Sequence, residues 1–246
     1  MSKVPNINIL AIETSSHACS AAVLQKEQED IEICEVYQDA PRQHNVLIIP
    51  MLEEVLAKSG CQLSDMDVLA FGRGPGAFTG VRVATSVIQA IGYATDIKIA
   101  PVSSLAALAQ GIYRLSGETQ LLVANDARMN EVYAGAYQNK NGFMFEVAPE
   151  TVAIPQELEK NYLDAIQSNG IWKAVGSGWN VYRDDLQSLL DKDFISELKI
   201  ELLPHAQDIA YLALQNIKNN QLYPASQVVP VYLRDNVAKK SANQKT

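Results

Sequence analysis

Cysteine and histidine are scarce in this chain, with three of each among 246 residues. Cys19, Cys34 and Cys61 are odd in number and lack CxxC spacing, so they fit free thiols in a reducing compartment better than a disulfide framework or a thiolate metal site. His17, His44 and His205 form no i, i+4 pair and join no ligand cluster, so no metal site is expected. Positive charge is also short: 20 Lys and Arg stand against 28 Asp and Glu, for a net charge of −8. Nucleic-acid binding rests largely on cations that neutralise phosphates, so a chain of this balance is not expected to hold RNA or DNA by itself. A long apolar run is missing too, which points away from export and membrane insertion and toward the cytoplasm. Neither a Gly-Lys-Ser/Thr phosphate loop nor a Gly-x-Ser-x-Gly elbow occurs, and no catalytic residue is assigned.

What the chain does have is concentrated in residues 71–82, FGRGPGAFTGVR, where four glycines and a proline stand between an apolar strand pattern and a helix pattern. Glycine accepts positive φ and carries no side chain, so such a loop brings backbone close to a phosphate, another backbone or a partner surface. A tight connection without a ligand is the plainer alternative. Thr79 is expected to cap the helix that follows.

Around this loop the pattern reads as an α/β protein large enough for two domains. Strands are expected at residues 7–14, 19–24, 31–37, 68–71 and 97–102, with helices at 44–58, 79–95 and 104–115. The next stretch repeats the order: an apolar strand from 121 ending near Asp126, a returning strand at 131–137 and a third at 143–152. Setting Glu13 against Asp126 aligns strand, carboxylate, turn and return strand, the mark of an internal duplication. A helix at 156–168, a strand at 171–175, helices at 179–190 and 206–218, and a strand at 227–233 complete a smaller second half. The expected organisation is an N-terminal lobe at 1–116, a C-terminal lobe at 117–233 and a tail at 234–246.

Glu13 and Asp126 could flank a magnesium-bound nucleotide, or they could brace their own turns. Two helices are apolar almost all round: residues 45–57, interrupted by Pro50, and residues 79–95, whose single charged side chain is Arg82. A helix lying on a sheet needs one apolar stripe, so the second stripe is either deeply buried or faces a partner.

The paired hairpins, the GPG turn and a late glycine pair resemble the actin, Hsp70 and sugar-kinase fold, two duplicated α/β lobes with a cleft between their hairpin turns. More closely, the strings ILAIETSSHACSAAVL, FGRGPGAFTGVRVA, NDARMNEVYAGAY, VGSGW and PVYLRDNVA resemble the TsaB family, also called YeaZ, and span residues 9 to 238. That resemblance implies a non-catalytic subunit in making threonylcarbamoyladenosine beside the anticodon of tRNAs. It would pair with the catalytic subunit TsaD, act with TsaE, self-pair when alone and meet tRNA only through the complex. ATP and metal would belong to TsaD. The implied partner surface is Leu47, Met51, Leu52, Val55, Ala84, Val87, Ile88 and Ile91. The implied vestigial nucleotide turns are Glu13, Thr14, Ser15, Gly74, Gly76 and Asp126. The competing reading is an independent ATP-dependent phosphotransferase built on Glu13, Asp126 and the GPG turn.

Overall fold

Alternating side chains of the first strand divide the first lobe's core between two faces. In the computed structural model, which describes residues 6–158, 171–188, 195–197 and 202–234, Leu10 and Ile12 of β1 (Ile7–Glu13) face one helical layer, while Ile9 and Ala11 face another. This period of two is what a strand covered on both sides requires. β2 (Ala18–Glu27) and β3 (Asp30–Asp39) complete an antiparallel meander with β1. β4 (Val68–Gly72) and β5 (Lys98–Val102) add to the other edge in parallel, giving the order β3-β2-β1-β4-β5.

The second sheet repeats this order. β6 (Gln120–Arg128), β7 (Glu131–Lys140) and β8 (Phe143–Ala153) form the meander, and β9 (Trp172–Val175) and β10 (Ile195–Glu197) continue in parallel from β6. The second meander's strands begin at 120, 131 and 143, each 113 positions after the first meander's starts at 7, 18 and 30. Two lobes of matching strand order are a duplicated α/β architecture. β10 was not anticipated, because three residues give no period to read.

α1 (His44–Ser59) and α2 (Phe78–Thr95) cover one face of the first sheet. α3 (Ser104–Ser116) lies between the lobes, with Leu105, Leu108 and Ile112 packed on Leu121, Val123 and Val175 of the second sheet. α4 (Ser177–Val181) and α5 (Arg183–Ser188) replace the single helix expected at 179–190, broken at Tyr182. Of the helix expected at 156–168, a single turn at Pro155–Glu157 is seen and the rest falls outside the described residues.

α6 (Ala206–Lys218) crosses back to the first lobe, where Ile209, Ala210 and Ala213 cover Ile9, Ala11, Val68 and Ala70. Burial of each isoleucine or valine here contributes roughly 1.5–3 kcal/mol, and of each alanine methyl about 0.8 kcal/mol. Glu35 of β3 pins the helix start by accepting from His205 Nδ1 at 2.9 Å, the Gln207 amide N–H at 3.1 Å and Gln207 Nε2 at 2.7 Å. Arg114 of α3 grips Asp208 through two bonds of 3.0 Å. Thus residues 206–218 belong spatially to the first lobe, although the sequence places them after the second.

The strand expected at 227–233 is absent. A single 3-10 turn at Ala225–Gln227 leads into an extended strap, because Pro230 has no N–H to donate and the neighbouring groups go to separate elements.

Candidate functional site

The glycine loop exists to press one backbone against another. A Cβ on Gly80 would stand 1.9 Å from the Thr14 carbonyl oxygen, and one on Gly76 would stand 2.5 Å from that of Ser15. The Thr14 hydroxyl donates to the Gly80 carbonyl at 2.7 Å, and the Ala77 N–H donates to the Ser15 carbonyl at 2.7 Å. This last bond starts α2 at Phe78 with Ala77 as its cap position, so Thr79 lies in the first turn and does not cap. Gly74 has φ of 91°, open to glycine, and its carbonyl accepts from the Ser104 N–H at 3.0 Å.

Glu13 points into this packed junction and is 1% exposed. Its carboxylate accepts from the Ser15 N–H and, at 2.8 Å, from the Ser104 hydroxyl. Burial raises its pKa above the ordinary carboxylate value, and the hydrogen bonds from Ser15 and Ser104 oppose that rise. Nearby Cys19 is pushed up to about 11, chiefly by burial and further by Glu13. A thiol so placed stays protonated and is no nucleophile at neutral pH.

Asp126 sits differently, at a bulge in β6. It accepts from the Arg128 N–H at 2.8 Å, pairs with the Arg128 guanidinium at 3.0 Å and meets the Tyr182 hydroxyl at 3.4 Å. Its own N–H donates to the Ser177 hydroxyl at 3.1 Å. Glu13 and Asp126 each close their own turn and share no hydrogen-bond partner among the described residues.

Two of the connections between the lobes run through charged side chains. Glu150 of β8, its side chain 5% exposed, accepts from Arg73 at 3.2 Å, from the Tyr137 hydroxyl at 2.7 Å and from the hydroxyl of Ser103, the residue that caps α3. The second is the strap. Gln89 donates to the Val228 carbonyl at 2.7 Å, the Val231 N–H donates to the Arg73 carbonyl at 2.9 Å, and Arg82 Nε donates to the Tyr232 hydroxyl at 2.8 Å. Arg234 then reaches the β6–β7 turn, pairing with Glu131 and donating to the Ala127 carbonyl at 3.0 Å. Spacing marks none of these residues as a site, although Arg73, Arg82, Tyr137, Tyr232 and Arg234 lie in the strings that carry the family resemblance.

The histidines have protein partners: His44 Nε2 lies 3.2 Å from the Ala18 carbonyl, His17 is 3.7 Å from Asp39, and His205 stacks on Tyr37 at 4.3 Å. Among the described residues no group of three His, Cys, Asp or Glu side chains is disposed to hold a metal ion. The arrangement at Glu13 does not fit a magnesium-bound nucleotide, because its carboxylate is enclosed by Ser15, Ser104 and the backbone of Gly72.

The residues expected at the partner surface divide between the core and the helices' outer faces. Met51, Leu52, Val55, Ala84 and Ile88 are buried in the first lobe's own core, and Leu47, Val87 and Ile91 are partly buried. Periodicity leaves both helices apolar almost all round and does not say which side the sheet takes. The outward stripes carry Val46 (66% exposed) and Ile49 (48%) on α1, with exposed Arg82, Ser86, Ala90 and Tyr93 on α2. No helix among the described residues is long and apolar enough to cross a membrane.

Comparison with known proteins places this geometry. A family model described as TsaD, tRNA N6-adenosine threonylcarbamoyltransferase, matches residues 36–242. The tRNA threonylcarbamoyladenosine biosynthesis protein TsaB of Escherichia coli (strain K12) is 36% identical over 237 residues, covering 95% of this chain and 97% of that protein. TsaB of Haemophilus influenzae is 33% identical over 243 residues, covering 96% and 97%. The solved structure of YeaZ from Pseudomonas aeruginosa superposes with a TM-score of 0.81 at 36% identity, covering 92% of this chain and 100% of that one.

Proposed function

This chain belongs to the TsaB family of tRNA threonylcarbamoyladenosine biosynthesis proteins, and from that premise we propose that it serves the pathway as a non-catalytic subunit that docks on TsaD. The observation that carries this reading is the contrast between the two candidate surfaces. The turns that flank a nucleotide in this fold are closed by their own protein contacts, whereas α1 and α2 leave an apolar face in water. An exposed apolar face of this kind favours a protein partner.

In this reading Val46 and Ile49 of α1 and Val87 and Ala90 of α2 meet the partner, and Ile88 and Leu52 hold up the helices from beneath. Docking stabilises the competent conformation of TsaD, which supplies the ATP and metal chemistry. TsaE joins the assembled complex, tRNA is held through the other subunits, and the same face supports a homodimer when TsaD is absent. The net charge of −8 suits a subunit that leaves the RNA to its partners.

The test is reconstitution of threonylcarbamoyl transfer to tRNA from purified components, with Ile49→Glu and Val87→Glu compared with wild type. Both variants should stay folded by circular dichroism, lose the TsaD complex on gel filtration and give the activity seen without the subunit. Ile88→Glu, placing a charge in the core, should unfold instead. Folded Ile49→Glu and Val87→Glu proteins that still bind TsaD and support full transfer would refute the proposed face.

A further inference from the structure

α2 carries one charged side chain in its 18 residues, Arg82, and its setting is specific. It lies in a groove of about 400 Å³ beside the start of α1, lined with it by Asn45, Phe78, Val83, Ser86 and Val87. The guanidinium carbon stands 3.6 Å from the Phe78 ring centroid and 5.6 Å from that of Tyr232, and Nε donates to the Tyr232 hydroxyl at 2.8 Å. The Phe78 ring packs on the cation and the Tyr232 ring stands farther off, beside Phe78, with the two centroids 5.6 Å apart and both rings half exposed. Among the described residues no carboxylate pairs with Arg82, and its terminal nitrogens have no hydrogen-bond partner.

An exposed arginine of ordinary freedom gains little from pairing. This one differs in two ways. Its plane is fixed by the aromatic pair and by one spent donor, so little ordering remains to be done when a partner arrives. It also sits in the apolar face that docking would cover, where an unpaired cation would be left in a low dielectric at heavy cost. A partner that covers the face must therefore bring a counter-charge, and the groove itself offers only neutral groups.

We infer that this groove is a receptor for one aspartate or glutamate side chain projecting from the docking surface of TsaD, taken by the free terminal nitrogens of Arg82. The inference rests on the docking reading above. The apolar rim of Phe78, Val83, Val87 and Tyr232 suits a carboxylate set among apolar side chains, and the chain's net charge of −8 disfavours an RNA phosphate as the occupant. Tyr232 acts here as a positioning residue, steering the guanidinium through its hydroxyl.

The experiment measures affinity of the full-length chain for TsaD by calorimetry, with wild type, Arg82→Gln, Arg82→Lys, Tyr232→Phe and Val87→Glu, each checked for wild-type melting. Arg82→Gln should weaken binding by about 30-fold or more, the loss expected for one member of a desolvated pair. Arg82→Lys should recover only part of it, since the planar fork is gone, and Tyr232→Phe should cost roughly fivefold. Neutralising the TsaD acidic residues one at a time should reveal a single position whose effect vanishes in the Arg82→Gln background, a coupling of at least about tenfold. Should Arg82→Gln bind within about threefold of wild type while Val87→Glu abolishes binding, the receptor is refuted and the docking face stands. No effect from Val87→Glu would refute the face itself. If Arg82→Gln instead lost affinity for tRNA alone and kept it for TsaD, the occupant would be a phosphate and the inference would fail.

Discussion

Replacing Glu13 by glutamine separates a brace from a ligand site. Glu13 is 1% exposed, has no cationic partner among the described residues, and accepts from Ser15 and Ser104. Burial raises its folded pKa above the reference value of 4.5. With the folded pKa above the unfolded one, this group's stabilising contribution is complete below the unfolded value and is lost as pH rises through the folded value. The loss can be no steeper than about 1.4 kcal/mol per pH unit for one proton. Glutamine keeps the shape. Its carbonyl can accept from the Ser15 N–H, and its amide can donate to the Ser104 oxygen, whose hydroxyl rotates to suit. The variant should therefore match or exceed wild type in stability near neutral pH and fall below it by roughly 1 kcal/mol near pH 4. Alanine offers neither acceptor nor volume, so Glu13→Ala should lose about 3–5 kcal/mol throughout. Urea unfolding followed by far-UV circular dichroism, repeated from about pH 4 to about pH 8, measures all three. A glutamine variant about 2 kcal/mol or more less stable at neutral pH, with a pH-independent difference, would mean that the carboxylate is ionised in place. That result would revive a magnesium-nucleotide role for this turn.

Gly80→Ala should lower the melting temperature by roughly 10 °C, because its Cβ would stand 1.9 Å from the Thr14 carbonyl oxygen and a backbone must shift; calorimetry decides it. Glu150→Ala takes one acceptor from Arg73, Ser103 and Tyr137 together and should cost about 2–4 kcal/mol, with hydrogen exchange rising at the start of α3 and along β7. Arg234→Ala should raise exchange in the β6–β7 turn alone while leaving global stability within about 1 kcal/mol of wild type.

The sequence was most legible where structure is local. Strand alternation and turn residues located both meanders, and the offset between Glu13 and Asp126 carried over to all three strand starts. It was least legible where a side chain's fate depends on distant chain. α1 and α2 show apolar residues on every side, so Ile88 and Val87 look alike until the sheet beneath them is known. Thr79 is a good capping residue in isolation, yet the bond from Ala77 to the Ser15 carbonyl sets the helix start. The Glu150 junction gathers Arg73 and Ser103 from 77 and 47 positions away, and no spacing rule reaches that far.

The return of α6 to the first lobe bears on how the chain is made. Ile9, Ala11, Val68 and Ala70 are all synthesised by residue 70, but the helix that shields them begins at residue 206. At ordinary elongation rates of about 5–20 residues per second, that side of the first sheet waits on the order of ten seconds for its cover. Meanwhile the second meander leaves the ribosome with α3 already available to pack on it. The α3-covered face of the lobe encoded second thus gains its helix before this face of the lobe encoded first, and a nascent chain stalled between residues 140 and 205 presents one aliphatic sheet face to chaperones.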